Sequence, residues 1–176
     1  RRIEGSEITI EIIDNAIAKV DDGKSSYKIL CMDPEEYPDV DFSSSPASFE
    51  LSASALSELV DQTAFAALVK DGKPLLMAIN LRCEDGQIIA TSTDSARLSK
   101  KSVPVEGVSR MTANIPAKTL VEIARLPDPR DVVQISLGTE NVIFEFGNTS
   151  VSSRLIAGDY PVSSNIIPHN FNYFLA

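Results

Sequence analysis

Three residues of this chain are candidates for a catalytic site, namely Asp94, Ser95 and the single histidine, His169. Asp94 and Ser95 are adjacent, and an acid beside a hydroxyl could serve a hydrolase as orienting group and nucleophile. Such a pair also needs a base, and His169 lies near the end of the chain in a stretch expected to be a linker. A simpler interpretation is that Asp94 accepts hydrogen bonds from the backbone of a turn. An enzyme is therefore disfavoured, although a hydrolase using Asp94 and Ser95 remains an alternative.

Metal and phosphate chemistry have no better support in the sequence. Cys31 and Cys83 are far apart, and a single histidine cannot complete a structural zinc site with them. The eight glycines are scattered singly, so the sequence contains no glycine-rich phosphate loop. No stretch approaches the ~18 consecutive apolar residues of a membrane helix. We expect no metal, no cofactor and no disulfide, and a reducing, cytoplasmic setting.

The charge of the chain bears on nucleic acid binding. A net charge of −9 argues against a protein that grips DNA through many phosphate contacts. The charge is uneven, because residues 1–45 carry eleven acidic and five basic residues, whereas residues 46–176 carry fourteen and eleven. A protein that encloses DNA topologically would need only weak, local positive charge. The composition thus disfavours an ordinary DNA-binding protein but not a ring.

The first part of the chain is predicted to contain strands and a linker. Residues 7–15 alternate and run apolar, which is typical of a strand, and residues 16–20 extend or follow it. An Asp-Gly turn at residues 21–24 leads to a returning strand over residues 26–32. Residues 33–45 contain two prolines, three serines and many acidic residues, so we expect a linker there.

From residue 46 onward the same succession of elements occurs twice. Each repeat predicts a short strand, a helix and three strands, with the apolar positions matching at a constant offset of 64 residues. The first helix is expected over about residues 52–68 with Ser52 or Ser54 as its cap, and the second begins near Pro116. The predicted strands are 48–51, 75–84, 87–94, 96–104, 131–137, 141–146 and 149–156. The matched apolar pairs are Leu51 and Ile115, Leu56 and Leu120, Leu59 and Ile123, and Val60 and Ala124.

Four stretches also resemble, in the same order, the middle domain of the bacterial DNA polymerase III β subunit, the sliding clamp. They read LSASALSELVDQTAFAA (51–67), ATSTDSARLSKK (90–101), NIPAKTLVEIARL (114–126) and SRLIAGDYP (153–161). The repeat by itself predicts an α+β layer of antiparallel strands with both helices on one face. The resemblance implies that these two βαβββ repeats form the DNA-clamp (processivity) fold.

The resemblance further implies a domain organisation. Residues 1–45 would be the C-terminal hairpin of the preceding clamp domain plus a linker, residues 46–168 the complete middle domain, and residues 169–176 a linker into a third domain. An N-terminal hairpin that belongs to the same domain remains an alternative. The chain begins inside a strand-like run and ends inside an apolar one, so we expect an excerpt of a longer protein.

The function implied by the resemblance is that of a non-catalytic processivity factor. Whole subunits would pair head to tail as a homodimeric ring around double-stranded DNA, without sequence preference, and tether the replicative polymerase, the clamp loader and repair proteins through short peptide motifs. Since the family closes the ring through its outer domains, we expect this fragment alone to be monomeric. A β-rich peptide-binding module unrelated to replication is the alternative, and it would lack a second helix packed beside the first.

The resemblance also assigns a peptide-binding groove to specific residues. Apolar walls would bind apolar anchors of the peptide, and polar groups would orient it. The implied residues are Leu76, Thr93, Ser95, Ala96, Arg97, Leu98, Pro161, Asn165 and Ile166. Ala96 stands where many relatives have a histidine, and Asn165 where a long basic side chain is frequent. Part of the groove comes from the third domain in the family, so we expect weak peptide binding by this fragment.

The resemblance turns the second helix toward the central hole of a ring. Lys118 and Arg125 then become candidate neighbours of DNA phosphates, with Lys70 and Lys73 as weaker candidates. A solvated helix face would show the same charges. Glu58 and Asp61 on the first helix would repel phosphate, so the inner face cannot be uniformly basic.

Overall fold

The computed structural model describes residues 7–14, 16–37, 42, 47–70, 72–161 and 167, and the structural statements below concern these residues. The chain divides into two compact units, Arg1–Asp41 and Phe42–Ala176. None of the helices in the described ranges is long and apolar enough to span a membrane. The predicted linker over residues 169–176 lies outside the described residues.

The first unit is an antiparallel meander of three strands. These are β1 (Thr9–Asp14), β2 (Ile17–Asp21) and β3 (Ser26–Leu30), in the order β1-β2-β3. The predicted Asp-Gly turn is confirmed, because the Asp21 carboxylate accepts a hydrogen bond from Gly23 N at 2.9 Å and β2 pairs with β3. Residues 16–20 therefore follow the first strand as a second one. In the predicted linker, Pro34–Glu36 form one 3-10 turn, and residues 38–41 and 43–46 lie outside the described residues.

The sheet of the first unit has one apolar face and one face that carries both charged and apolar residues. Strand pairing aligns Ile10 with Val20 and Tyr27, and it aligns Ile12 with Ala18 and Ile29, so these side chains share a face. The opposite face carries Glu11 across from Lys19 and Lys28. Ile10 and Ile12 remain 67% and 63% exposed. An apolar sheet face of this kind is typical of a sheet that packs against further elements.

The second unit contains two helices and eight strands among its described residues. The elements are β4 (Ser48–Ser52), α1 (Ala53–Asp61), 3-10 turns at Ala64–Ala66 and Pro74–Met77, β5 (Ala78–Glu84), β6 (Gln87–Thr93), β7 (Leu98–Pro104), β8 (Met111–Pro116), α2 (Ala117–Ile123), β9 (Val132–Leu137), β10 (Asn141–Phe146) and β11 (Thr149–Arg154). The predicted strand–helix–three strands succession is thus present twice.

The strands form two antiparallel sheets that exchange their first strands. One sheet has the order β11-β10-β9-β4 and the other the order β7-β6-β5-β8. β4 of the first repeat therefore pairs with β9 of the second, and β8 of the second repeat pairs with β5 of the first. Because each repeat completes the sheet of the other, the second unit cannot be divided into two independent halves.

The two helices lie against each other and contribute to a core shared by both sheets. The repeat-related residues Leu56 and Leu120 are fully buried, as are Leu59 and Ile123. Ser52 caps α1 by accepting a hydrogen bond from Ala55 N at 3.2 Å, as predicted. Two packed helices on antiparallel sheet confirm the predicted α+β arrangement, with the correction that the strands form two sheets rather than one layer.

Helix α1 is shorter than the prediction of residues 52–68, because it ends at Asp61. The Thr63 hydroxyl donates to Leu59 O at 2.7 Å, and the buried Ser92 hydroxyl donates to Thr63 O at 2.5 Å. Ser99 on β7 donates to Gln62 O. Side chains of the neighbouring sheet thus satisfy carbonyls at the helix end, and the chain turns into a 3-10 segment.

Two further boundaries differ from the predictions. Leu76 was expected at the start of a strand but lies in the 3-10 turn Pro74–Met77, where its N–H donates to Lys73 O at 2.9 Å. Proline at the start of that segment favours a turn with its preset backbone angle and delays the strand to Ala78. Arg125 was expected on the face of the second helix, but α2 ends at Ile123 and Arg125 lies beyond it.

Candidate peptide-binding groove and basic surface

The turn between β6 and β7 carries most of the predicted groove residues. Thr93 is buried, and its hydroxyl donates to Arg97 O at 2.6 Å while accepting a hydrogen bond from Ser95 N at 3.1 Å. The Asp94 carboxylate accepts hydrogen bonds from Ala96 N and Arg97 N, both at 3.0 Å. The simpler interpretation of Asp94 is therefore confirmed: it organises the turn. These bonds hold Ser95 at φ 79°, in the left-handed region that non-glycine residues seldom adopt.

The hydrogen bonds of this turn favour the ionised form of Asp94. We therefore expect the measured pKa of Asp94 to lie below the ordinary value of 3.8. Backbone N–H groups of Ala96 and Arg97 stabilise the carboxylate most, and the Arg97 side chain adds to them against an opposing effect of desolvation. Because the pKa of Asp94 is lower in the folded state than in the unfolded state, its ionisation stabilises the fold. This stabilisation is complete above the ordinary pKa and is lost as the pH falls through the lowered pKa. NMR titration of the Asp94 carboxyl carbon measures it.

Arg97→Ala should raise that pKa only part of the way to 3.8, since the backbone hydrogen bonds are the larger cause. A full return to the ordinary value in this variant would contradict the assignment, as would an unshifted pKa in the parent chain.

The loop after β11 is fixed to the neighbouring sheet by an asparagine pair. Asn114 Nδ2 donates to Ile156 O at 3.1 Å and to Gly158 O at 2.8 Å, and Ile156 N donates to Asn114 O at 2.8 Å. Asn80 Nδ2 in turn donates to Asn114 Oδ1 at 2.8 Å. Gly158 has φ 120°, and a Cβ there would lie 3.1 Å from Leu75 Cδ1. Glycine therefore permits both the backbone angle and the close approach of this loop to Leu75.

Tyr160 joins this loop to the turn at Thr93. Thr93 N donates to the Tyr160 hydroxyl at 3.0 Å, and that hydroxyl lies 3.4 Å from Ala78 O, to which it donates. Burial raises the pKa of Tyr160 above its ordinary value, and the hydrogen bond from Thr93 partly offsets this. The two motifs that the sequence places far apart, TDSARL and GDYP, are thus adjacent in the fold.

The structure places seven of the nine predicted groove residues. Leu98 is the first residue of β7 and pairs with Thr93; it is half-buried, as is Leu76. Ser95, Ala96, Arg97 and Pro161 are exposed. Pro161 and Tyr160 border a cavity of about 420 Å³ that Asn80 and Asn114 also line. Asn165 and Ile166 lie outside the described residues.

Sequence reasoning missed Tyr160, Asn114 and Asn80, which line the cavity that Pro161 borders; no predicted residue of the 93–98 turn lines it. A signal was available for the asparagines, because Asn is disfavoured in the middle of strands and both occupy such positions. Tyr160 was seen only as the neighbour of Pro161, and nothing local indicates where its hydroxyl goes.

The four residues predicted to contact DNA are all exposed on the second unit. Lys118 is exposed in the first turn of α2 and borders an apolar cavity of about 370 Å³, which Val69 and Pro74 also line. Lys70 and Lys73 are both exposed and are the chain neighbours of Val69 and Pro74, but neither lines this cavity. Arg125 is exposed beyond the end of α2. Glu58 forms an ion pair with Lys101 at 2.6 Å, and the hydrogen bond and charge of Lys101 lower the pKa of Glu58. Glu58 therefore stays ionised, and the positive charge of Lys101 offsets its negative charge.

Solved structures with this fold define the class of protein. A DNA polymerase III β chain from Streptococcus pneumoniae superposes with a TM-score of 0.82 at 27% identity, covering 94% of this chain and 45% of that one. The DNA polymerase sliding clamp from Bacillus subtilis gives 0.83 at 26%, covering 93% and 44%. A clamp from Pseudomonas aeruginosa bound to griselimycin, at 24% identity, has the same fold with a TM-score of 0.84, covering 94% of this chain and 45% of that one. The fold is that of the DNA sliding clamps.

Sequence comparisons assign the family. Residues 50–162 match the family described as DNA polymerase III beta subunit, central domain, so the chain belongs to the DNA polymerase III β subunit family. The beta sliding clamp of Halalkalibacterium halodurans is 32% identical over 96% of this chain and 46% of its own length. That of Staphylococcus aureus is 27% identical over 100% and 47%. The chain thus spans about half the length of these relatives.

Proposed function

We propose that this chain is part of a non-catalytic sliding clamp that encircles duplex DNA and tethers the replicative polymerase through a peptide-binding groove. The observation that carries the proposal is the match of residues 50–162 to the central domain of the family, which includes both groove motifs. Contact between these motifs through Tyr160 and Thr93 supports a common site. The named relatives are beta sliding clamps, and a bacterial clamp of this kind would act in the cytoplasm.

The proposed domain organisation follows the same family. Residues 1–45 would be the end of a preceding clamp domain and its linker, residues 46–168 the middle domain, and residues 169–176 the linker to a third. The exposed apolar face with Ile10 and Ile12 supports the first part, because a preceding domain would cover it. In the complete subunit, two copies would pair head to tail around the DNA.

The proposed groove combines apolar anchoring with oriented polar groups. Leu76, Leu98 and Pro161 would contact apolar side chains of a polymerase or clamp-loader peptide, at roughly 25 cal/mol for each Å² covered. Leu76 and Leu98 are half-buried and so already held in place, with part of their surface open to a ligand. Exposed Arg97 and Ser95 would orient the peptide. Ala96 offers neither a donor nor a ring, so peptides that need an imidazole contact should bind weakly.

Proposed DNA contacts are electrostatic and independent of sequence. Lys118 borders the cavity beside α2, and Lys70 and Lys73 are chain neighbours of residues that line it. Together these lysines would provide the local positive charge that an acidic ring needs. Arg125 would contribute separately. Neither stacking nor base readout is required for a ring that moves along DNA.

A peptide titration tests the groove. We expect a peptide with a glutamine and a terminal Leu-Phe pair to bind saturably, and Leu98→Asp to weaken binding by roughly a hundredfold or more, because a carboxylate would be desolvated under the peptide. Two-dimensional ¹H–¹⁵N NMR measures binding even when it is weak.

Leu126→Asp is the matched control, since Leu126 is 58% exposed and lies outside the predicted groove. Equal binding by the parent and Leu98→Asp chains would sink the assignment of the groove residues. Absence of saturable binding to the parent chain at millimolar peptide would count against a groove formed by this chain.

A further inference from the structure

The two walls of the proposed groove come from segments that are distant in the chain. One wall is the turn of residues 93–98, and the other is the loop that ends at Pro161. The Tyr160 hydroxyl connects them, because it accepts a hydrogen bond from Thr93 N across 67 residues of sequence and donates to Ala78 O. A phenylalanine would fill the same space without making either hydrogen bond.

Thr93 is the residue of the 93–98 turn that forms a hydrogen bond with Tyr160. Its N–H is bound by Tyr160, and its hydroxyl donates to Arg97 O and accepts a hydrogen bond from Ser95 N. The hydrogen bonds of the buried Thr93 thus link the Tyr160 hydroxyl to the backbone of Ser95 and Arg97, two predicted groove residues.

The other end of the loop is held independently. Asn114 binds the carbonyls of Ile156 and Gly158, so the loop has a fixed start. Two residues separate Gly158 from Pro161, and the hydroxyl of one of them, Tyr160, ties this end of the loop to the turn. A groove with both walls held before binding loses less conformational entropy when a peptide docks.

The geometry points to Tyr160 as a positioning residue for peptide binding. Its hydroxyl holds the Pro161 wall against the 93–98 turn, so that the apolar anchors of a peptide meet a preformed groove. This inference rests on the proposed groove function, and it assigns no contact between Tyr160 and the peptide itself.

Tyr160→Phe tests this role in the 176-residue chain. We expect the affinity for the glutamine and Leu-Phe peptide to fall about three- to tenfold, which corresponds to the net contribution of one typical hydrogen bond. The Thr93 amide should exchange with solvent faster, because its acceptor is removed, while amides in the core strands β9 and β10 keep their protection. ¹H–¹⁵N NMR measures both quantities on one sample.

Tyr37→Phe is the matched control, since it removes the same hydroxyl from a side chain that is 78% exposed in the first unit. It should leave both affinity and Thr93 exchange unchanged. A purely structural role for Tyr160 would lower the protection of core amides instead, and that result would overturn the inference.

The Leu98→Asp variant separates failure of this inference from failure of the groove. If Leu98→Asp abolishes binding while Tyr160→Phe binds like the parent, the groove stands and the positioning role is wrong. If neither substitution changes binding, the groove assignment is wrong and the inference falls with it.

Discussion

Val133→Asp is expected to unfold the second unit or to lower its free energy of unfolding by roughly 4 kcal/mol or more. Val133 is 0% exposed on β9, the strand that pairs with β4 on one side and β10 on the other. A carboxylate there would be buried in the shared apolar core without a partner. Urea denaturation followed by circular dichroism measures the loss.

The neighbouring residue on the same strand provides the control. Val132 is 55% exposed, and its side chain points to the opposite face of the sheet. Val132→Asp should change the free energy of unfolding by less than about 1 kcal/mol. Similar losses in both variants would contradict the register of β9 against β4, because a shift of one residue exchanges the two faces.

Phe144→Ala should lower the free energy of unfolding by about 3–5 kcal/mol, because it deletes the largest fully buried side chain among the described residues and leaves a cavity. Phe144 lies on β10, where it pairs with Ile135 on β9 and Val151 on β11. Its ring belongs to the apolar core to which both helices and both sheets contribute. The same urea titration measures the effect, and the midpoint should fall without a change in slope.

Phe65→Ala removes the same ring from an exposed position, since Phe65 is 59% exposed in the 3-10 turn Ala64–Ala66. We expect a loss below about 1 kcal/mol there. If Phe65→Ala cost as much as Phe144→Ala, the assignment of the core would be wrong, and Phe65 would have to be packed in solution.

Much of the secondary structure could be predicted because it depends on neighbours in the sequence. Alternation of apolar and polar residues located the strands, and the Asp-Gly turn at Gly23 formed as expected. The offset of 64 residues between Leu56 and Leu120 located both helices, and both leucines are fully buried. Asp94 as the acceptor of its own turn was also predictable, because an Asx-turn involves only adjacent residues.

The candidate site was predictable only in part. The residues of the 93–98 turn and Pro161 came from motifs, and Tyr160 lies beside one of them. That its hydroxyl would bond to Thr93 could not be predicted, since the two residues are 67 positions apart and neither segment alone limits the other. The cavity that Lys118 borders was unpredictable for the same reason, because Val69 and Pro74, which also line it, are more than 40 positions away in the chain.

By itself, the sequence determined the alternation of strands and helices, the internal repeat and the family motifs, all of which depend on local spacing. Tertiary structure decided the rest. β4 completes the sheet of the second repeat, and β8 completes that of the first. Without this exchange, β9 would lack its neighbour β4 and β5 its neighbour β8, and each would have an unpaired edge. Side chains of β6 and β7 end α1 at Asp61, since Ser92 and Ser99 bind carbonyls that a longer helix would use. Strands with similar apolar patterns offer equivalent pairings locally, and burial of one common core selects among them.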